Sequence, residues 1–125
     1  MAALTFVRFE GKYIKIALQE IAYIEARKNY SRVVYTGKES HVVLIPLKAW
    51  LEILPGDQFV VAHRSFIVAL GKIASFDSKT IYLEGGKTVP WGTGYRGKLL
   101  RKVHICEPEQ KGRPRRFQQV QDREM

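Results

Sequence analysis

Three short polar segments interrupt an otherwise apolar chain, and their side chains limit the chemistry on offer. "ARKNYSR" (26–32) interleaves Arg27, Lys28 and Arg32 with Asn29, Tyr30 and Ser31. "HRS" (63–65) sets His63, Arg64 and Ser65 between the apolar runs "FVVA" and "FIVAL". "WGTGYRGK" (91–98) carries Thr93, Tyr95, Arg96 and Lys98 around Gly92 and Gly94. Lysine and arginine neutralise phosphates, while amide and hydroxyl groups hydrogen-bond base edges. Each segment also has a plainer reading. Lys28-Asn29 is ordinary turn chemistry, and a histidine at a strand end often just bonds backbone and shapes its loop. Three such segments together point to a polyanion with readable edges.

Catalytic constellations are missing. There is no Gly-rich phosphate loop, no cysteine pair and no His-Glu-x-x-His. His41, His63 and His104 do not have ligand spacing, so each reads as a satisfied or solvated imidazole. Glu107 and Glu109 sit close in sequence, but in a polar C-terminal stretch, and do not read as a catalytic dyad. Ser31, Ser65 and Ser75 have no paired base. The expectation is a protein acting without catalysis, metal or cofactor.

The elements that must hold these segments are mostly strands. "LTFVRFE" (4–10) and "YIKIALQ" (13–19) alternate around Gly11-Lys12, a hairpin-like connection. "IAYIEA" (21–26) is a third strand, and "SRVVYT" (31–36) and "SHVVLI" (40–45) flank Gly37-Lys38 as a second hairpin. The period then changes: Leu47, Leu51 and Leu54 recur at helical spacing behind Pro46, and Pro55-Gly56 stops the helix. "FVVAHRSFIVAL" (59–70), "KIASFD" (72–77), "TIYLEG" (80–85) and "KTVPW" (87–91) return to strand character. "YRGKLLRKV" (95–103) predicts a short helix weakened by Gly97. Residues 107–125 lack apolar periodicity and read as a disordered polar tail, which leaves a single folded domain over residues 1–106.

Composition agrees with one soluble domain. The 125 residues are 46% hydrophobic and 26% charged, long enough to bury one core. The single Cys106 cannot form an internal disulfide, no apolar run approaches the ~20 residues of a membrane span, and the first residues lack a secretion signal. The expectation is a cytoplasmic protein without a membrane partner. Net charge is +9, and the tail accounts for little of it: five basic and four acidic residues leave residues 107–125 at +1 and residues 1–106 at +8. A basic folded body attracts polyanions, nucleic acid before others.

"IAYIEARKNYSRVVYTGKE", "PLKAWLEILPGDQFVVAHRSFIVALGKI" and "IYLEGGKTVPWGTGYRGKLL" together resemble the LytTR DNA-binding domain of bacterial transcriptional regulators. The resemblance runs from about Thr5 to Val103, and rests on Glu-Ala-x-x-Asn-Tyr, Leu-Pro-x-x-x-Phe, His-Arg-Ser-Phe-Ile-Val and a glycine hairpin leading to a proline strand and Tyr-Arg. It implies an elongated, mainly β arrangement of small antiparallel sheets with one or two short helices. It also implies loops that enter successive major grooves of promoter DNA, direct repeats as targets, two copies per site and an upstream receiver or sensor. Carried over, the DNA-facing positions are Arg27, Lys28, Asn29, Tyr30, Ser31 and Arg32, then His63, Arg64 and Ser65 with Lys72 beyond them, then Thr93, Tyr95 and Arg96.

Two departures stand out. Ala69 occupies a position where the family often has asparagine, and Gly92-Thr93-Gly94 replaces a common Ser-Arg. The missing arginine removes one expected base contact. The expectation is a sequence-specific double-stranded DNA-binding regulator of the LytTR type, either free-standing or part of a longer one. The alternative is a LytTR-like interaction module that pairs with a related regulator and antagonises it.

Overall fold

The computed structural model describes residues 4–108. It is mainly β, built from three small antiparallel sheets and two short helices, as the strand pattern predicts. The central sheet has five strands: β3 (Ile21–Arg27), β4 (Tyr30–Tyr35), β5 (His41–Val43), β6 (Phe59–His63) and β7 (Phe66–Ala69). Their spatial order is β5-β4-β3-β7-β6. A two-stranded hairpin, β1 (Thr5–Phe9) with β2 (Lys12–Ile16), and a three-stranded sheet, β8 (Ile73–Phe76), β9 (Thr80–Leu83) and β10 (Thr88–Pro90), complete the strands. The helices are α1 (Leu47–Ile53) and α2 (Arg96–Leu100).

The central sheet is covered on both faces, which is why its strands read as continuous apolar runs. One face packs Val33, Tyr35, Ile67 and Ala69 with Val7 and Ile16 of the first hairpin and Trp50 of α1. The other packs Ala22, Val60, Ala62 and Val68 with Ile81, Leu83 and Val89 of the second sheet and Leu99 of α2. Alternation along β6 and β7 therefore sends successive apolar residues into two different cores. Pro90 lacks a donor and is tolerated because β10 is an edge strand.

Several boundaries differ from the sequence pattern for local reasons. The first hairpin turns at Glu10-Gly11, not Gly11-Lys12: both residues take positive φ, 50° and 82°, the geometry a tight two-residue β-turn needs. β2 ends at Ile16, and Leu18–Glu20 tighten into a 3-10 turn that leads into β3. Pro46 caps α1 from outside, with extended ψ of 156°, instead of opening its first turn. The two apolar runs of 59–70 form the β6–β7 hairpin, and a 3-10 turn at Leu70–Lys72 ends the second. Of the expected polar tail, residues 109–125 lie outside the described residues.

Candidate nucleic-acid interface

Strand pairing brings two of the polar segments to one end of the central sheet. β3 and β4 pair with Arg27 opposite Tyr30, so Lys28-Asn29 form a two-residue turn. β6 and β7 pair with His63 opposite Phe66, so Arg64-Ser65 form a second one. β7 lies antiparallel to β3 with Phe66 opposite Glu25, which sets both turns at the same edge. The Ala26 amide donates to the Ser65 carbonyl at 2.8 Å and joins them directly.

The third segment joins through a bulge. The β6–β7 register shifts between Val61 and His63, and the Ala62 carbonyl accepts from the Gly92 amide at 2.8 Å. Residues 93–95 form an ordered 3-10 turn, closed by the Tyr95 amide on the Gly92 carbonyl at 2.9 Å. Gly92 has an ordinary φ of −73°. Gly92 is small because a β-carbon there would stand 3.0 Å from Tyr95 Cδ2 and 3.6 Å from His63 Cδ2. Those two rings flank it.

Individual side chains then separate by role. Lys28, Asn29 and Arg64 are exposed at the two turn tips, and Thr93 is exposed on the third segment. Lys28 holds φ at +56°, a left-handed conformation that glycine or asparagine would adopt at less cost. The Ser65 amide donates to His63 Nδ1 at 3.1 Å, which makes Nε2 the protonated nitrogen of the neutral ring. His63 also stacks edge-on against Phe66, with centroids 5.6 Å apart. It shapes its turn and still keeps a donor. Tyr30, Ser65 and Tyr95 are partly buried beside these tips.

On the face of the sheet opposite Ser31 and Val33, three charged side chains meet near the same end. Glu25 lies directly across from Arg32 and two residues before Arg27. Its Oε1 is 3.7 Å from Arg27 Nη2 and 3.9 Å from Arg32 Nη1. Arg32 Nε donates to Ser40 Oγ at 3.2 Å. Glu25 opens the Glu-Ala-x-x-Asn-Tyr motif without standing among the expected DNA-facing positions, and a two-residue turn at 28–29 is enough to place it opposite Arg32.

One expected contact is corrected, and two others sit apart from the turn tips. Ser31 is fully buried. Its hydroxyl donates to the Ile45 carbonyl at 2.7 Å and accepts from Trp50 Nε1 at 2.7 Å, so it fastens α1 to β4 and cannot face a duplex. Lys72 lies past the opposite end of β7, where its carbonyl accepts from the Glu84 amide. Arg96 lies over the Trp91 ring at 5.8 Å and donates to the Ser78 carbonyl. It braces the start of α2 against the β8–β9 turn.

At the β8–β9 turn one carboxylate is structural. Asp77 accepts from the Lys79 and Thr80 amides and the Tyr82 hydroxyl, contacts that hold its carboxyl below its ordinary value, with the Lys79 amide foremost. Among the described residues no three His, Cys, Asp or Glu side chains gather to hold a metal ion. No helix among them is long and apolar enough to cross a membrane.

A family model, the LytTr DNA-binding domain, matches residues 11–104, well over half of the chain. No curated protein matches. Among solved structures, the chain is similar to the LytTr DNA-binding domain of a protein from Bacillus cereus described as a methyl-accepting/DNA response regulator. The two are 20% identical, with a TM-score of 0.68 over 82% of this chain and 97% of that one. The likeness extends to the fold.

Proposed function

This chain belongs to the LytTr DNA-binding domain family, and from that premise we propose that it reads promoter DNA as a bacterial, cytoplasmic transcriptional regulator. Strand-end loops enter the major groove, two copies occupy a direct repeat, and an upstream receiver or sensor delivers the signal. The observation that carries this reading is the convergence of the three polar segments at one sheet end, through the Ala26–Ser65 and Ala62–Gly92 backbone bonds.

Charge supports it. Arg27, Lys28, Arg32 and Arg64 cluster where the turns meet. Lys28 carries its charge at a left-handed turn position, as Glu10 does in the first hairpin. Arg64 at the second tip is the reader best placed for a bidentate guanine contact. Thr93 cannot make that contact, so specificity concentrates under the first two turns.

Two measurements test the reading. Affinity for random duplex should fall linearly with log salt, by about 0.9 per phosphate neutralised. Selection from a random library should then yield a repeated motif, and Arg64→Ala should weaken binding to it by ~1–3 kcal/mol at one base position. A protein that ignores duplex at low salt but binds a related regulator is the antagonist module instead.

A further inference from the structure

The carboxylate of Glu25 stands among the cations that are meant to meet DNA, where a negative charge repels phosphates. Its position is built by the strand register rather than by chance proximity. Glu25 faces Arg32 across the β3–β4 ladder, shares a sheet face with Arg27, and lies opposite Phe66 of β7 on its other side. Its side chain is 26% exposed, against 44% for Arg27 and 40% for Arg32, so it sits beneath the two guanidinium groups.

We propose that Glu25 is a positioning residue that sets sequence discrimination, by holding Arg27 and Arg32 so that random phosphates gain little from them. This rests on the DNA-reading function proposed above. A guanidinium carries five donors in a planar fork. Arg27 meets Glu25 through Nη2 alone, which leaves its other donors for the O6 and N7 of guanine, whereas Arg32 also spends Nε on Ser40 and is held from two sides. A phosphate offers no such fixed geometry and must draw the arginine away from its carboxylate, against the repulsion between two anions. Ion pairs this exposed are weak and reversible. They tax non-specific contact more than base readout.

The test compares wild type with Glu25→Gln and Glu25→Ala by fluorescence anisotropy. The probes are random duplex and a library-selected duplex, each across a salt series, with a thermal melt on every variant. Glu25→Gln should tighten random-duplex binding roughly three- to tenfold. It should also steepen the salt dependence by about one to two units, since each added phosphate contributes about 0.9. Binding to the selected duplex should change far less, so the specificity ratio falls. Adding Arg27→Ala and Arg32→Ala should abolish the effect of Glu25→Gln, because the residue acts through them. Equal losses on both duplexes with an unchanged salt slope would overturn the inference, as would no change on either. A wild-type protein that binds no duplex overturns the DNA reading itself, and this inference with it.

Discussion

Ser31→Ala separates a contact to DNA from a contact within the fold. The Ser31 hydroxyl is fully buried and makes two hydrogen bonds, each 2.7 Å, to Trp50 Nε1 and the Ile45 carbonyl. Trp50 is itself fully buried, so removing the hydroxyl strands an indole N–H where water cannot replace the partner. A stranded buried donor costs about 1–3 kcal/mol, and the lost bond to the partly buried Ile45 carbonyl adds about 0.5–1. The total is roughly 1.5–4 kcal/mol, a large share of the ~5–15 kcal/mol that holds a domain of this size. The melting temperature should fall by roughly 10 °C. Below that transition, the affinity for a selected duplex and its salt slope should match wild type. Urea unfolding gives the stability and anisotropy gives the affinity. A Trp50→Phe variant closes a double-mutant cycle that should show coupling of about 1 kcal/mol or more. A stable Ser31→Ala protein with weakened DNA binding would refute the burial argument and return Ser31 to the interface.

Three further outcomes are expected. Lys28→Gly should stabilise the fold by about 0.5–1 kcal/mol, because glycine accepts φ of +56° freely. The same variant should lose affinity and about 0.9 of salt slope, and stabilisation without loss of binding would mean that Lys28 touches no phosphate. Gly92→Ala should press on the Tyr95 and His63 rings and cost about 1–3 kcal/mol; unchanged melting and unchanged ring resonances in both residues would refute that packing. Tyr35 is buried and its hydroxyl pairs with His41 Nδ1 at 3.0 Å. Burial first, and the charge of Glu20 second, push its pKa up to about 12 from 10.0. Folding therefore favours the protonated phenol: this stabilisation is complete below pH 10 and is lost as pH rises towards 12. A spectrophotometric titration should show a late tyrosine phase coupled to unfolding that Tyr35→Phe removes; a titration curve left unchanged by Tyr35→Phe would contradict it.

The amino-acid sequence determined what is local. Period-two alternation marked the first hairpin, and apolar runs bounded by turn residues marked the other strands, because strand pleat and tight-turn geometry depend on neighbouring residues alone. The helical spacing of Leu47, Leu51 and Leu54 marked α1 for the same reason. The ordered motifs around 26–32, 63–68 and 85–96 named the family, and the three polar segments they contain are the ones that converge. Direction and company were decided only by the tertiary structure. Alternation says that Ser31 and Arg32 face opposite ways, yet with both faces of the sheet covered it cannot say which one is interior. Trp50, nineteen residues on, decides that. Lys72 follows the second segment closely in sequence, but β7 carries it to the far end of the sheet, away from the turns. Arg96 lies beside the β8–β9 turn, whose Ser78 carbonyl it donates to across eighteen residues. Glu25 became part of the interface because the β3–β4 register set it beneath two arginines. Each of these depends on pairing between distant segments. The order β5-β4-β3-β7-β6 follows from closing two cores at once, a condition the whole chain satisfies together and no window of residues can state.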